Sequence, residues 1–330
     1  MRVGVLGVGA VGGALAAVLD RAGHRVSVAV RADAAAGITE RGIRLTGAWG
    51  DTTARVEAAT GLTEPHELVL VATKAMDARA AIEASRDACR GGTVVVVQNG
   101  LEGADRAREL LPESRVLGGL ALFAASLVGP GEVRITAPGD LYVGPAAPED
   151  PIVAVLAGAL PTRAVQDLRG MQWTKLVVNQ VNALPAITGL SVQEVVAHPA
   201  LRRVLTLSIR ETVRTGRAAG VRFGSMNGLG DLVLRVAAAA PAGAAELLPR
   251  RMARGMGDVP NPGSTLQSIR RGKPTEIDYL NGAVVAEATR LGRTAPVNEA
   301  LTRLVHEVER TGRFLTPDEV ARRVRLAIAP

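Results

Sequence analysis

Val3-Gly4-Val5-Leu6-Gly7-Val8-Gly9-Ala10-Val11-Gly12 decides how the rest of this chain is read. An apolar run rich in Val leads into Gly-x-Gly-x-x-Gly, and residues 13–19 continue as a helix of small apolar side chains. That order of strand, turn and helix is what a dinucleotide-binding fingerprint requires. Gly7 allows the tight turn, Gly9 lets backbone approach a pyrophosphate, and Gly12 lets the helix sit close to the strand. The helix start adds free N–H groups and the positive end of a dipole. Gly7, Val8, Gly9, Ala10, Val11 and Gly12 are therefore the expected cofactor-binding residues. A glycine-rich turn that binds nothing is the competing reading, and the flanking pattern argues against it.

The chain has 330 residues, enough for two domains, and its 47% hydrophobic content supports a large core. Aromatic residues are only 2%, so that core is mostly Ala, Val and Leu. The net charge of +7 comes from scattered arginines without long basic runs. This disfavours a nucleic-acid partner and suits a cleft for an anionic cofactor and substrate. The single Cys89 excludes an internal disulfide and a Cys-based zinc site, leaving helix packing as its expected role. His24, His66, His198 and His306 are scattered, so no metal site is expected. The apolar N-terminal segment is broken by glycines and reads as a strand, not a signal peptide. The longest apolar stretch, 117–128, is too short to span a membrane. A soluble cytoplasmic protein is expected.

Outward from the fingerprint, residues 26–30 read as the second strand, and Arg31 follows at once. An acidic residue there would bind the ribose hydroxyls of NAD, whereas Arg accommodates the 2′-phosphate of NADP. Arg31 argues for NADP, and Asp33 close by weakens the argument without reversing it. Residues 43–46 and 53–57 read as a small hairpin inside the nucleotide domain. Leu68-Val69-Leu70-Val71-Ala72 and Val94-Val95-Val96-Val97 are continuous apolar runs, as buried parallel strands are. They end in Thr73-Lys74 and Gln98-Asn99-Gly100, where ligands bind in such sheets. Lys74 could reach a phosphate or carboxylate, and Asn99 could hold nicotinamide or substrate. A solvated strand end and a plain Asn-Gly turn are the alternatives. Strands are expected at 116–128, 132–136, 141–143 and 162–165, and a helix at 75–88. Beyond about 168 only helical segments follow, at 172–188, 191–197, 199–219, 226–239, 275–291, 298–311 and 318–327, with a loop at 237–245. The expected architecture is an α/β Rossmann-type domain over 1–167 and an all-α domain over 168–330.

One helix looks chemical. Lys175, Asn179 and Asn182 fall at i, i+4 and i+7, a polar stripe on an otherwise apolar helix. Such groups need partners if buried, which a liganded cleft supplies. The alternative is a solvent-facing stripe flanked by Thr174 and Gln180. A second cluster, Thr275-Glu276-Ile277-Asp278-Tyr279-Leu280-Asn281-Gly282, starts where Thr275 and Asp278 could form a capping box. Glu276 and Ser264 could face the same cleft as Lys175.

Taken together and in order, these residues resemble the ketopantoate reductases (2-dehydropantoate 2-reductases). The resemblance rests on Gly7 to Gly12, Arg31, Thr73-Lys74-Ala75, Gln98-Asn99-Gly100, Gly129-Pro130-Gly131-Glu132-Val133, Trp173-x-Lys175-x-x-x-Asn179, Ser264-x-Leu266-Gln267 and Glu276 to Gly282. It covers essentially the whole chain. It implies a helical second domain like that of 6-phosphogluconate dehydrogenase, serving substrate binding and dimerisation. It also implies NADPH as cofactor, a homodimer, and hydride transfer to the keto carbon of a 2-oxo acid, as in the conversion of ketopantoate to (R)-pantoate in pantothenate synthesis. Carried over, Lys175 is the general acid, and Glu276 fixes its ammonium, the substrate or the cofactor. Asn179 and Ser264 bind the substrate, with Asn182 standing in for a second family Asn. Lys74 and Asn99 sit beside nicotinamide and substrate. The chain departs from the family pattern at Ala183 and Ser268, where Asn and Asp occur, and at Leu120-Ala121-Leu122-Phe123-Ala124, expected to form a more apolar pocket wall. Those departures leave open a reductase acting on a different ketone or an imine. A non-enzymatic NADPH-binding redox sensor is the remaining alternative, against which the retained Lys175 and Glu276 argue.

Overall fold

The computed structural model describes residues 1–257 and 259–328. The chain divides into two compact units, Met1–Leu168 and Arg169–Pro330.

The first unit is built on β1 (Arg2–Leu6), β2 (Arg25–Ala29), β3 (Ile43–Gly47), β4 (Thr52–Ala54), β5 (Glu57–Ala59), β6 (Leu68–Val71), β7 (Thr93–Val97), β8 (Arg115–Ala121), β9 (Ala124–Gly129), β10 (Glu132–Ala137), β11 (Leu141–Gly144) and β12 (Thr162–Ala164). The main sheet has eight strands in the order β12-β11-β8-β7-β6-β1-β2-β5. From β5 to β8 every pairing is parallel; β11 then runs antiparallel to β8. Every residue of β6 and β7 is buried, which is why both read as unbroken apolar runs. With β3 and β4 set aside in a second sheet, the parallel strands follow the doubly wound dinucleotide-binding order. The chain leaves β1 for β2 on one side and returns to β6 on the other. That reversal is the topological switch point where ligands bind such sheets. The registers Leu6↔Ala29, Leu6↔Val71 and Val71↔Val96 bring the carboxyl ends of four central strands level.

The second sheet, in the order β4-β3-β10-β9, is where sequence and structure part. The expected strand over 116–128 is two strands in different sheets. The chain pivots at Leu122-Phe123, where Phe123 is buried and packs on Trp49 with ring centroids 4.7 Å apart. The expected strand over 53–57 also divides, since Glu57 belongs to β5 and pairs in the main sheet. The hairpin is thus half of a four-stranded sheet completed by residues 124–137. That sheet presses on the first helix, Ala10–Arg21: a Cβ at Gly13 would lie 2.7 Å from Val133 Cγ2. The expected helix over 75–88 breaks at Ser85, whose hydroxyl accepts from Leu62 N at 3.1 Å. Cys89 is fully buried beside it, and burial pushes its thiol up to about 11.

The second unit is helical among its described residues. Leu168–Asn179 passes through a 3-10 turn, Gln180–Asn182, into Ala183–Thr188. The long helix Pro199–Ala218 closes onto Trp173 through Gly216, where a Cβ would stand 2.9 Å from Trp173 Cε3. Ser191 and Glu194 form a full capping box on Val192–Ala197. Three expectations need correction. The helix expected from 226 begins at Asp231, because Met226 and Leu229 bridge each other first. The expected loop at 237–245 contains a short helix, Ala242–Ala245. Thr275 and Asp278 form no capping box. Thr275 Oγ1 accepts from Ile277 N at 3.3 Å to open a 3-10 turn, and Asp278 bonds His306 Nε2 at 2.9 Å. Among the described residues no helix is long and apolar enough to cross a membrane.

Candidate functional site

In the first unit the carboxyl edge of the parallel strands gathers several of the expected residues. Gly7 follows β1 with φ +94, a conformation that favours glycine, and a Cβ there would meet Thr73 N at 2.8 Å. At Gly12 a Cβ would fall 1.9 Å from Gly7 O, so turn and helix can close only on a hydrogen. Gly9 has nothing within 4 Å of its Cβ position. It is the N-cap of Ala10–Arg21 and offers no side-chain cap, so the helix start is left to a partner with acceptor oxygens. Val8, Ala10 and Val11 keep partial exposure around it. A tight turn, open space at the middle glycine and an uncapped helix start together fit a pyrophosphate.

Arg31 lies two residues past β2, largely exposed, with Nε 3.6 Å from Asp33 Oδ1. Lys74 and Asn99, both part-buried, follow β6 and β7. Gln98, not singled out from the sequence, ties those two strand ends together. Its amide donates to Thr73 O at 2.9 Å and Thr73 Oγ1 at 3.2 Å. Its position inside Gln98-Asn99-Gly100 was the available signal. In the segment 120–124, Leu120, Ala121 and Phe123 are buried, Phe123 against Trp49, while Leu122 is half-buried and Ala124 is exposed.

In the second unit Lys175 and Glu276 are part-buried and interact. Burial pushes the Lys175 ammonium down from its ordinary 10.5 to about 8, while the Glu276 carboxylate pulls it back up. Asn179, Asn182 and Ser264 form a second group. Asn182 Oδ1 accepts from Ser264 N at 3.2 Å, and Asn182 Nδ2 lies 3.5 Å from Asn179 Oδ1. Gly263, at φ +70, makes room: a Cβ there would stand 2.5 Å from Asn182 Oδ1. Ala183 is fully buried. Along the stripe Lys175 and Asn179 are half-buried and Asn182 is buried, and the flanks Thr174 and Gln180 are fully buried. Among the described residues no group of three His, Cys, Asp or Glu is placed to hold a metal.

Residues 3–148 match the family model described as ketopantoate reductase PanE/ApbA, and residues 167–309 match the C-terminal model of the same family. The chain belongs to the ketopantoate reductase family. It is 30% identical to the 2-dehydropantoate 2-reductase of Halobacterium salinarum, across 94% of this chain and 100% of that one. A crystal structure of a PanE/ApbA family ketopantoate reductase from Ralstonia eutropha JMP134 superposes with a TM-score of 0.81 at 32% identity, covering 94% and 99% of the two chains. The fold is also that of a D-mandelate dehydrogenase solved with NADH and anilino(oxo)acetate, at TM-score 0.78 and 19% identity over 94% and 99% of the chains. Membership makes this chain an oxidoreductase that works with a nicotinamide cofactor.

Proposed function

We propose that this enzyme reduces a 2-oxo acid to a 2-hydroxy acid with NADPH, and that the substrate is ketopantoate, giving (R)-pantoate. Residues 1–167 bind the cofactor in this reading, and 168–330 bind the substrate. The observation that carries it is Lys175, a cation whose proton affinity burial has lowered to about 8 beside the Glu276 carboxylate. The glycine turn Gly7–Gly12 would hold the pyrophosphate. Arg31 would meet the 2′-phosphate, the feature that favours NADPH. A reduced nicotinamide, when bound, supplies hydride to the keto carbon.

The chain's own residues handle the charge that results. As the keto oxygen becomes an alkoxide, the Lys175 ammonium neutralises it and then gives up a proton from Nζ. With a pKa of about 8, roughly nine-tenths of Lys175 carries that proton at pH 7. Each turnover leaves the amine neutral, and solvent restores the proton. Glu276 keeps the site charged in spite of burial. Asn179, Asn182 and Ser264 bind the substrate's polar groups, with Asn182 holding the Ser264 backbone in place. Lys74 and Asn99 would sit beside nicotinamide and the substrate carboxylate.

The test is NADPH oxidation followed by absorbance, with ketopantoate beside a panel of 2-oxo acids and NADH as control. Turnover of ketopantoate with NADPH is expected. Turnover only of another keto acid keeps the reaction and replaces the substrate. NADPH binding without oxidation of any substrate would overturn the proposal.

A further inference from the structure

The chain segments just after Lys175 and Glu276, the 3-10 turn Gln180–Asn182 and the start of the helix Asn281–Arg290, are tied together by a buried hydrogen-bond relay. Gln180 stands five residues after Lys175 and Asn281 five residues after Glu276. Both are fully buried, as are Ser208 and Asn298. Asn281 Nδ2 donates to Gln180 Oε1 at 2.8 Å and to Asn298 Oδ1 at 3.0 Å. An amide nitrogen has two protons, so both are used. Gln180 Oε1 also accepts from Ser208 Oγ at 2.5 Å, and Gln180 Nε2 donates to Leu176 O at 3.1 Å, the carbonyl next after Lys175. Asn298 Nδ2 donates onward to Glu211 Oε2 at 2.8 Å, and Glu211 accepts from the backbone N–H groups of Val297 and Asn298, each at 2.9 Å.

The amide orientation of Asn281 follows from its neighbours. Gln180 Oε1 and Asn298 Oδ1 are acceptors, so a flipped amide would set oxygen against oxygen. Its own Oδ1 has no hydrogen-bond partner among the described residues. A buried acceptor left unpaired is costly, so a residue kept in that state is kept for its two donors. Asp, Ser and Leu at 281 cannot supply two.

We propose that Asn281 is a positioning residue, fixing the separation of Lys175 and Glu276 by bridging Gln180 to Asn298. The inference rests on the reading of Lys175 as proton donor. Its physical content is a distance: the attraction of Glu276 for the Lys175 ammonium falls as the two elements separate. A residue serving stability alone would leave the titration of Lys175 unmoved.

The experiment is competitive labelling of Lys175 with a trace amine reagent between pH 6 and 10, read by peptide mass spectrometry on the full chain, in wild type and Asn281→Ala. The wild-type midpoint is expected at about 8. In Asn281→Ala it is expected to move by about half a pH unit or more. The same variant should lose roughly 10- to 100-fold in kcat, with KM for the 2-oxo acid much less affected. A folded variant with the wild-type midpoint overturns the proposal. Should Asn281→Ala fail to fold, Asn281→Ser, which keeps one donor, is judged by the same midpoint. Labelling needs no turnover. An enzyme that reduces no 2-oxo acid would therefore sink the reductase reading, while the positioning role is still decided by the midpoint.

Discussion

Replacing Lys175 by Met should make the helical unit more stable while destroying the enzyme. Met keeps the apolar stem and removes the charge. Burial lowers the Lys175 pKa from 10.5 to about 8 even with Glu276 attracting it, so the folded state holds the proton less tightly than the unfolded chain does. At about 1.36 kcal/mol per pH unit, the charged form destabilises the fold at neutral pH by about 3 kcal/mol as an upper bound. The sign follows from proton counts. Between about 8 and 10.5 the unfolded chain binds more protons than the folded one, so wild-type stability rises with pH across that window. Lys175→Met lacks this dependence. Its advantage should be up to about 3 kcal/mol at pH 7 and about 1.4 kcal/mol at pH 9.5. The assay is guanidinium unfolding followed by the fluorescence of Trp173, which is fully buried on the same helix, in a Trp49→Phe background. Turnover should fall by roughly 100- to 10,000-fold with NADPH binding retained. A variant less stable than wild type at pH 7, or an advantage that is the same at both pH values, would refute the reasoning.

Glu276→Gln removes the attraction that holds Lys175 charged, so the alkaline limb of the kcat profile should move below about 8; an unmoved or higher limb would remove Glu276 as the partner. Arg31→Ala should raise KM for NADPH and leave KM for NADH unchanged, and a preserved preference would mean that the phosphate is read elsewhere. Gly12→Ala places a Cβ 1.9 Å from Gly7 O, so it should lower stability by about 1–3 kcal/mol and weaken cofactor binding; unchanged binding would mean that the turn does not hold the pyrophosphate.

The central strands of the main sheet were legible because each carries its own evidence. β6 and β7 are covered on both faces, and a doubly covered strand has to be apolar at every position. The smaller sheet was not legible, because no one of its strands identifies its partners. β10 pairs with β3, as in Glu132↔Arg44 and Val133↔Leu45, across a long stretch of intervening chain, and its exposed face alternates with polar residues. Nothing local to residues 116–128 announces that Phe123 must turn inward onto Trp49. Lys175 stood out as a charge on an otherwise apolar helix and Glu276 as part of a polar cluster, and the family pattern reinforced both. Gln180 and Asn281 did not, since a lone amide in a helical pattern looks like a solvated residue. Their burial comes from contacts 101 positions apart, closed by Ser208 and Asn298. Helical periodicity reports which face of one helix is apolar, and it is silent about two polar faces that meet.

That silence bears on how a proton donor of this kind is built. Burial pulls Lys175 towards the neutral amine, and the Glu276 carboxylate pulls it towards the ammonium. A pKa of about 8 lies between the two because both act at once and in opposite directions. Such a balance depends on distance, so it needs a frame stiffer than the long side chains it tunes. The relay of Gln180, Asn281 and Asn298 is buried, short and almost fully paired, whereas Lys175 and Glu276 themselves keep partial exposure. Gln180, Asn281 and Asn298 are buried more completely than Lys175 and Glu276; in the proposed reaction they would touch no substrate, and their placement would set the separation of that charge pair.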